Sequence, residues 1–300
     1  MSNSKFKIQN SKFYKAHGLG NDYIVLEAGA FPFELTPPVV RLICDRHRGV
    51  GSDGILVRVP SSEAEFGLRI YNPDGSEAEK SGNGLRIFAA YLKEGGWVEG
   101  GSEFTIETKG GIVTAALLGR SPEGEELVEV DMGKASFRSG AVGLQGPDRE
   151  VDGEVLELPS GERVAIEVVS MGNPHCVCFE DDLVVEEMRR RAPLISTHPW
   201  FANGTNVQFA RISGPADIEA FVWERGAGET MASGSSACAV AAAAVRRGLV
   251  QQHSVQVWMP GGVLRVTVDD DWEVRLRGPV ESVYLAEPTP GLLRRLEALS

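Results

Sequence analysis

Apolar residues run in short β-branched bursts along most of this chain, and twice they give way to a longer helical stretch. The bursts Tyr23-Ile24-Val25-Leu26, 54–59, 66–71 and 104–118 read as strands in the first half. Cys176-Val177-Cys178-Phe179, 206–210, 218–223 and 255–268 read as strands in the second. Short helical segments are expected at 39–46 and 184–191, and strong ones at 84–93 and 237–247. One strong helix among many strands in each half is an α+β pattern, not alternating βαβ. The segment 140–153, rich in Gly, Pro and Asp, reads as a loop.

The two halves repeat one another. Gly20-Asn21 returns as Gly172-Asn173, an offset of 152. At the same offset Leu42-Ile43 meets Leu194-Ile195, Glu77 meets Glu229, Ser81-Gly82 meets Ser233-Gly234, and Ala89-Ala90 meets Ala241-Ala242. One register slip follows, with Gly110-Gly111 answered by Gly261-Gly262 at 151. The period is too long for a solenoid. It predicts two pseudo-symmetric domains with a ligand site in the cleft between them. The change of domain falls near 126–130, and the last strand, 280–286, has no place in the repeat and returns to the first domain. The expected boundaries are 11–128 plus 276–300 for one domain and 129–275 for the other.

Composition narrows the function. The 300 residues carry 30 basic and 42 acidic side chains, a net charge of −12. With no Lys/Arg run, that balance argues against nucleic acid and anionic membranes as partners. No apolar stretch is long enough to span a bilayer. The amino terminus, MSNSKFKIQNSKF, has no apolar leader core. Four cysteines without a C-x-x-C pair make neither a disulfide framework nor a zinc site, and a cytoplasmic protein with reduced thiols is expected. No lysine is nominated for a pyridoxal phosphate Schiff base. Gly49-Val50-Gly51-Ser52-Asp53-Gly54 follows a helix and precedes a strand, the reverse of a dinucleotide fingerprint. No cofactor and no metal are expected.

The chemistry concentrates at two helix starts, Ser81-Gly82-Asn83-Gly84 and Ser233-Gly234-Ser235-Ser236. Glycine permits close approach of a ligand to the backbone, and a helix N-terminus favours an anion such as a carboxylate. An ordinary serine N-cap would look the same at one site alone, but a cap need not recur in register with its approach loop. Asn21 and Asn173 stand at matching points, with Asn72, Asn206 and His175 also beside turn residues. Arg225 suits a second carboxylate held bidentately. Glu224 and the asparagines suit an ammonium group. The implied ligand is a small zwitterion.

These strings resemble the diaminopimelate epimerase family. They are Lys15-Ala16-His17-Gly18-Leu19-Gly20-Asn21-Asp22-Tyr23, Cys44-Asp45-Arg46-His47-Arg48-Gly49, Asn72-Pro73-Asp74-Gly75-Ser76-Glu77, Gly82-Asn83-Gly84-Leu85-Arg86, Gly172-Asn173-Pro174-His175, Thr205-Asn206-Val207 and Glu224-Arg225-Gly226-Ala227-Gly228-Glu229-Thr230. The resemblance implies two like α+β domains, each a curled, mainly antiparallel sheet around a central helix. It implies a cofactor-independent homodimer that interconverts LL- and meso-diaminopimelate on the route to lysine and cell wall. Carried over by position, Asn21, Asn72, Asn173, Asn206, Glu224 and Arg225 bind substrate. Backbone groups of Gly82, Asn83, Gly234 and Ser235 hold the reacting carboxylate, and His175 and Glu224 sit beside the catalytic pair.

The departure lies at the centre. The family uses two cysteines, one on each face of the α-carbon, and here both positions are serine: Ser81 and Ser233. Gly54 stands where some members have a substrate-contacting Gln. Three readings remain open at this level: a diaminopimelate epimerase working through two serines, a same-fold isomerase acting on another small zwitterion or carboxylate, and a homologue that binds ligand without turnover. Cys238, five residues past Ser233, faces elsewhere and reads as core.

Overall fold

A computed structural model describes residues 12–300. The absence of a leader at the amino terminus and the domain start at 11 therefore concern residues outside the described ones. The chain separates into two compact units, Met1–Val130 with Gly278–Ser300, and Asp131–Arg277.

In chain order the first unit holds β1 (Phe13–Gly18), β2 (Asn21–Glu27), α1 (Pro37–Cys44), β3 (Ile55–Val59), β4 (Phe66–Tyr71), β5 (Glu77–Ala78), α2 (Gly82–Glu94), β6 (Glu103–Thr108) and β7 (Gly111–Arg120). The chain passes into the second unit along β8 (Glu126–Lys134). There it forms β9 (Glu154–Glu157), β10 (Arg163–Ser170), β11 (Pro174–Phe179), α3 (Val185–Ser196), β12 (Asn206–Gly214), β13 (Asp217–Glu224), β14 (Gly228–Thr230), α4 (Gly234–Arg246), β15 (Ser254–Met259) and β16 (Gly262–Val268). It returns along β17 (Glu273–Ala286) and ends in α5 (Pro290–Glu297).

The repeat read from the sequence reappears as strand register. In the first unit β2 and β3 are parallel with Ile24 opposite Ile55, and β3 and β4 are antiparallel with Ile55 opposite Tyr71. In the second, β11 and β12 are parallel with Cys176 opposite Val207, and β12 and β13 antiparallel with Val207 opposite Trp223. All three matched pairs, Ile24 with Cys176, Ile55 with Val207 and Tyr71 with Trp223, keep the 152 offset. The later slip to 151 survives too: Phe66 faces Ile106, and Ile218 faces Val257. A pairing register shifted by one would turn every side chain to the opposite face, so the shared register carries the shared inside and outside.

Each central helix is buried nearly all round, as a helix inside a curled sheet must be. In α2 every residue from Gly82 to Leu92 is buried. In α4 the buried run includes Ala237, Ala239 and the block Ala241-Ala242-Ala243-Ala244; alanine combines the best helix propensity with the small volume that lets strands close around it. The surrounding strands alternate: Phe104 and Ile106 in β6, Val113, Ala115 and Leu117 in β7, Val255 and Val257 in β15, and Leu264, Val266 and Val268 in β16 point inward. A second layer packs against the outer face of each sheet. Val39, Val40 and Ile43 of α1 meet Ile24, Leu26 and Ile55, while Met188, Ala192 and Ile195 of α3 meet Cys176, Cys178 and Phe209. The α+β architecture expected from the sequence is the architecture observed.

Several boundaries differ from the sequence reading. Helix α4 starts at Gly234, three residues before the alanine run suggested, because the Ser233 cap and glycine already belong to its first turn. Helix α3 continues to Ser196 through Pro193. Strands β1, β9 and β10 and helix α5 carry no periodic pattern strong enough to announce them. The 140–153 stretch is anchored rather than loose: Val142, Leu144 and Val151 are buried in the second core. All four cysteines are free and buried. Among the described residues no helix is long and apolar enough to cross a membrane.

Candidate active site

Both candidate serines sit at helix N-caps in nearly the same backbone conformation, φ −143°, ψ 117° at Ser81 and φ −139°, ψ 124° at Ser233. Their side chains differ. The Ser81 hydroxyl accepts a hydrogen bond from the Gly84 N–H at 3.0 Å, an ordinary cap. It also meets the Tyr23 hydroxyl at 3.2 Å. Ser233, 5% exposed, makes no side-chain capping bond.

In the first unit the polar groups form one chain. Fully buried Arg86 donates to the Gly82 carbonyl at 3.2 Å and to Asn83 Oδ1 at 2.8 Å. Asn83 Nδ2 donates to Asn21 Oδ1 at 3.0 Å, and Asn21 Nδ2 donates to Asp53 Oδ2 at 3.1 Å. Asp53 is tied to Arg46, which also grips Asp22, and Lys15 contacts Asp22 at 2.6 Å. Burial pushes the Asp22 carboxyl up, but hydrogen bonds from Arg46 and Lys15 outweigh it and hold it down to about 2. Asp53 moves the other way, raised by burial and by the neighbouring Asp22. Asn21 is therefore fixed at both ends of its amide, and its half-buried side chain keeps one N–H and one lone pair for a ligand. Asn72 is exposed in the turn after β4, where its Nδ2 donates to Ser76 Oγ at 3.0 Å.

In the second unit Asn173 lies just before β11 and His175 two residues on, within it. The fully buried His175 ring contacts Asn173 Oδ1 through Nε2 at 2.9 Å and Gln208 Nε2 through Nδ1 at 3.1 Å. Burial pushes its pKa down to about 3, helped by the nearby Arg225 charge, so it is neutral. With both ring nitrogens occupied, His175 works through Asn173 and Gln208. Asn206 is almost entirely enclosed: Nδ2 donates to the Pro174 carbonyl at 2.9 Å and Oδ1 accepts from the Arg225 N–H at 2.9 Å. It ties the turn carrying Glu224 and Arg225 to the start of β11. Arg225 is exposed and anchors one Nη on the Asn203 carbonyl at 3.1 Å; Glu224 is half-buried at the end of β13. Gly234 is buried and Ser235 half-buried in the first turn of α4.

The sequence reading passed over Tyr23, Asp53, Gln208 and Ser236. The signal for Tyr23 was available in the repeat, since it occupies the position that His175 occupies 152 residues later. Gly54 also explains itself. A Cβ there would lie 2.6 Å from Tyr23 Cε1 and 2.7 Å from the Tyr71 carbonyl, so the Tyr23 ring fills the space a side chain at 54 would need.

The family model described as diaminopimelate epimerase matches residues 13–138 and 167–283. Diaminopimelate epimerase 2 of Nostoc sp. is 45% identical over 277 residues, covering 92% of this chain and 95% of that protein. The diaminopimelate epimerase of Pelotomaculum thermopropionicum is 42% identical over 280 residues, covering 92% of this chain and 98% of that one. Among solved structures, a hydroxyproline epimerase from Agrobacterium vitis with bound trans-4-hydroxy-L-proline aligns with a TM-score of 0.68 at 14% identity, over 92% of this chain and 91% of its own. A methylitaconate-delta-isomerase aligns with a TM-score of 0.62 at 14% identity, over 93% and 95%. At such identities these two speak for the fold alone. The family match spans most of both halves and the relatives agree with it over nine-tenths of the length, so the chain belongs to the diaminopimelate epimerase family.

Proposed function

We propose that this isomerase of the diaminopimelate epimerase family interconverts LL- and meso-diaminopimelate without a cofactor, passing protons through two serines, Ser81 and Ser233, on opposite faces of the substrate α-carbon. One observation carries the reading: the family's two catalytic positions are matched extended caps on two glycine-led, buried helices. One serine, as the alkoxide, takes the α-proton, and the C–H electron pair passes to the α-carbon and its carboxylate. The other serine gives its hydroxyl proton to the opposite face, which inverts the centre and leaves the two serines with exchanged protonation. The positive ends of the two helices, through Gly82, Asn83, Gly234 and Ser235, stabilise the charge that builds on the carboxylate. Asn21, Asn72, Asn173, Asn206, Glu224 and Arg225 hold the rest of the zwitterion, with His175 supporting Asn173. The domains are those of 11–128 with 276–300 and of 129–275, acting as a cytoplasmic homodimer in lysine biosynthesis.

The serines set the rate. A free thiol has a pKa of ~8.5, whereas an aliphatic hydroxyl lies several units higher, and each unit costs ~1.4 kcal/mol in forming the anion. Proton abstraction is therefore slower by several orders of magnitude than with a thiolate unless a neighbour shares the proton. Tyr23 is that neighbour at Ser81: a phenol is a far stronger acid than an aliphatic alcohol, and it touches the serine oxygen.

Incubating the protein with LL-diaminopimelate in D₂O tests the reading. Deuterium entering one α-carbon, with meso product, is expected. A second reading, ligand binding without turnover, is favoured by the loss of both thiols; it predicts saturable binding of diaminopimelate with no deuterium incorporated.

A further inference from the structure

Three matched positions change character together between the two units. Tyr23, Leu56 and Gly84 of the first correspond to His175, Gln208 and Ser236 of the second. In the first unit the set is largely apolar: Leu56 Cδ2 lies 3.0 Å from where a Cβ on Gly84 would be. In the second it is a hydrogen-bonded relay. Gln208 Nε2 stands 2.9 Å from Ser236 Oγ and 3.1 Å from His175 Nδ1, and His175 Nε2 stands 2.9 Å from Asn173 Oδ1. Gln208, His175 and Ser236 are all fully buried, and Asn173 at the end of the relay is only half-buried.

The relay has a direction. Gln208 Nε2 can only donate, so His175 Nδ1 accepts and carries no proton. The ring is neutral, which puts its one N–H on Nε2, pointing at Asn173 Oδ1. Reversing the Gln208 amide would leave its NH₂ at the buried place of Oε1, which has no hydrogen-bond partner. A buried carbonyl short of a partner is tolerated better than a buried N–H, so the direction found is the more stable one.

We propose that Gln208 is a positioning residue for the substrate site: by fixing His175 in the Nε2–H tautomer it turns the Asn173 amide so that its NH₂ group, not its carbonyl, faces the ligand. Asn173 then reads an acceptor, such as a carboxylate oxygen, and discriminates against a donor. The ligand part rests on the function proposed above; the tautomer does not.

The test has a ligand-free arm. Nitrogen-15 spectra of the full chain, with His175 assigned through His175→Gln, are expected to show a protonated Nε2 and a bare Nδ1, coupled through the hydrogen bond to the Gln208 side-chain nitrogen. At pH 8.5, Gln208→Glu presents a carboxylate that only accepts, so the proton is expected to move to Nδ1. Gln208→Met, which keeps the volume without a charge, is expected to abolish the coupling. A wild-type Nδ1–H tautomer, or a wild-type coupling that persists unchanged in Gln208→Met, overturns the proposal. In the second arm, Gln208→Glu is expected to weaken diaminopimelate binding on the order of tenfold or more. A flipped tautomer with unchanged affinity overturns the link through Asn173. Failure of the wild type to bind diaminopimelate overturns the substrate instead, and the spectra still decide the relay.

Discussion

The hydroxyl of Tyr23 lies 3.2 Å from the hydroxyl of Ser81, which the Gly84 N–H also reaches at 3.0 Å. In the proposed reaction these two contacts flank a weak base with a phenol and a helix N-terminal amide, where a thiol would need neither. The amide stabilises an oxyanion, and the phenol shares the proton. Tyr23→Phe keeps the ring against Gly54 and removes only the oxygen. We expect it to slow deuterium exchange into diaminopimelate by about 10²-fold, the usual scale of a lost acid–base partner, with binding affinity kept. Exchange at the wild-type rate would remove Tyr23 from the proton path.

Restoring thiols is the converse experiment. Ser81→Cys with Ser233→Cys puts a far more acidic group at each helix N-terminus, where thiol pKa values fall further. We expect the double variant to exchange the α-proton at least about 10³ times faster than the wild type, each lost pKa unit being worth up to about tenfold. Either single change is expected to gain less, because inversion needs both faces. No gain in the double variant would mean that another substrate fills the site.

Gly54 tests how tightly the Tyr23 ring is held. An added methyl would overlap Tyr23 Cε1 and the Tyr71 carbonyl. The backbone oxygen belongs to the β3–β4 pair, in which Ile55 faces Tyr71, so the ring must yield first. Gly54→Ala is expected to cost roughly 1–3 kcal/mol of stability, the scale of overpacking a filled core. Urea midpoints measure it. A fall in exchange beyond that of Tyr23→Phe would show that the ring, as well as its hydroxyl, shapes the site.

Much of this was legible in the chain. The 152 offset located both serine caps, both glycine-led helices and the Asn21 and Asn173 positions, because a repeated register forces repeated contacts. What stayed hidden were the partners. Asn206 reads from sequence as a ligand contact, and its ties to the Pro174 carbonyl and the Arg225 N–H are of a kind that no local pattern reveals. Likewise His175, two residues from its partner Asn173, acquires its second partner from 33 residues away. Gln208 sits in a strand between the apolar Val207 and Phe209 and looks like an intrusion until the parallel register of β11 on β12, with His175 opposite Asn206, puts it two residues along from that pair and within 3.1 Å of the imidazole. The end of α3 was misjudged for a simpler reason: proline normally argues for a stop, yet Pro193 is carried within the helix.

The buried imidazole also has a thermodynamic signature. Burial holds the His175 pKa down to about 3 in the folded chain, against an ordinary value of about 6.5. Between those values the unfolded chain binds a proton that the folded chain refuses. Stability from this group is therefore complete above pH 6.5, declines as the pH falls, and levels off only near pH 3, where the folded state takes up the proton as well. At pH 5 the loss is about 2 kcal/mol, and the full window amounts to roughly 4–5 kcal/mol. His175→Gln removes the titrating group. We expect the variant to be less stable than the wild type at pH 7.5, because the relay is broken, but to lose less stability between pH 7.5 and pH 5. Urea midpoints at the two pH values separate these effects, since the first is a constant offset and the second a slope. Parallel pH profiles would mean that the imidazole reaches water in the native state, and the relay from Gln208 to Asn173 would then lose the dry surroundings that keep it neutral.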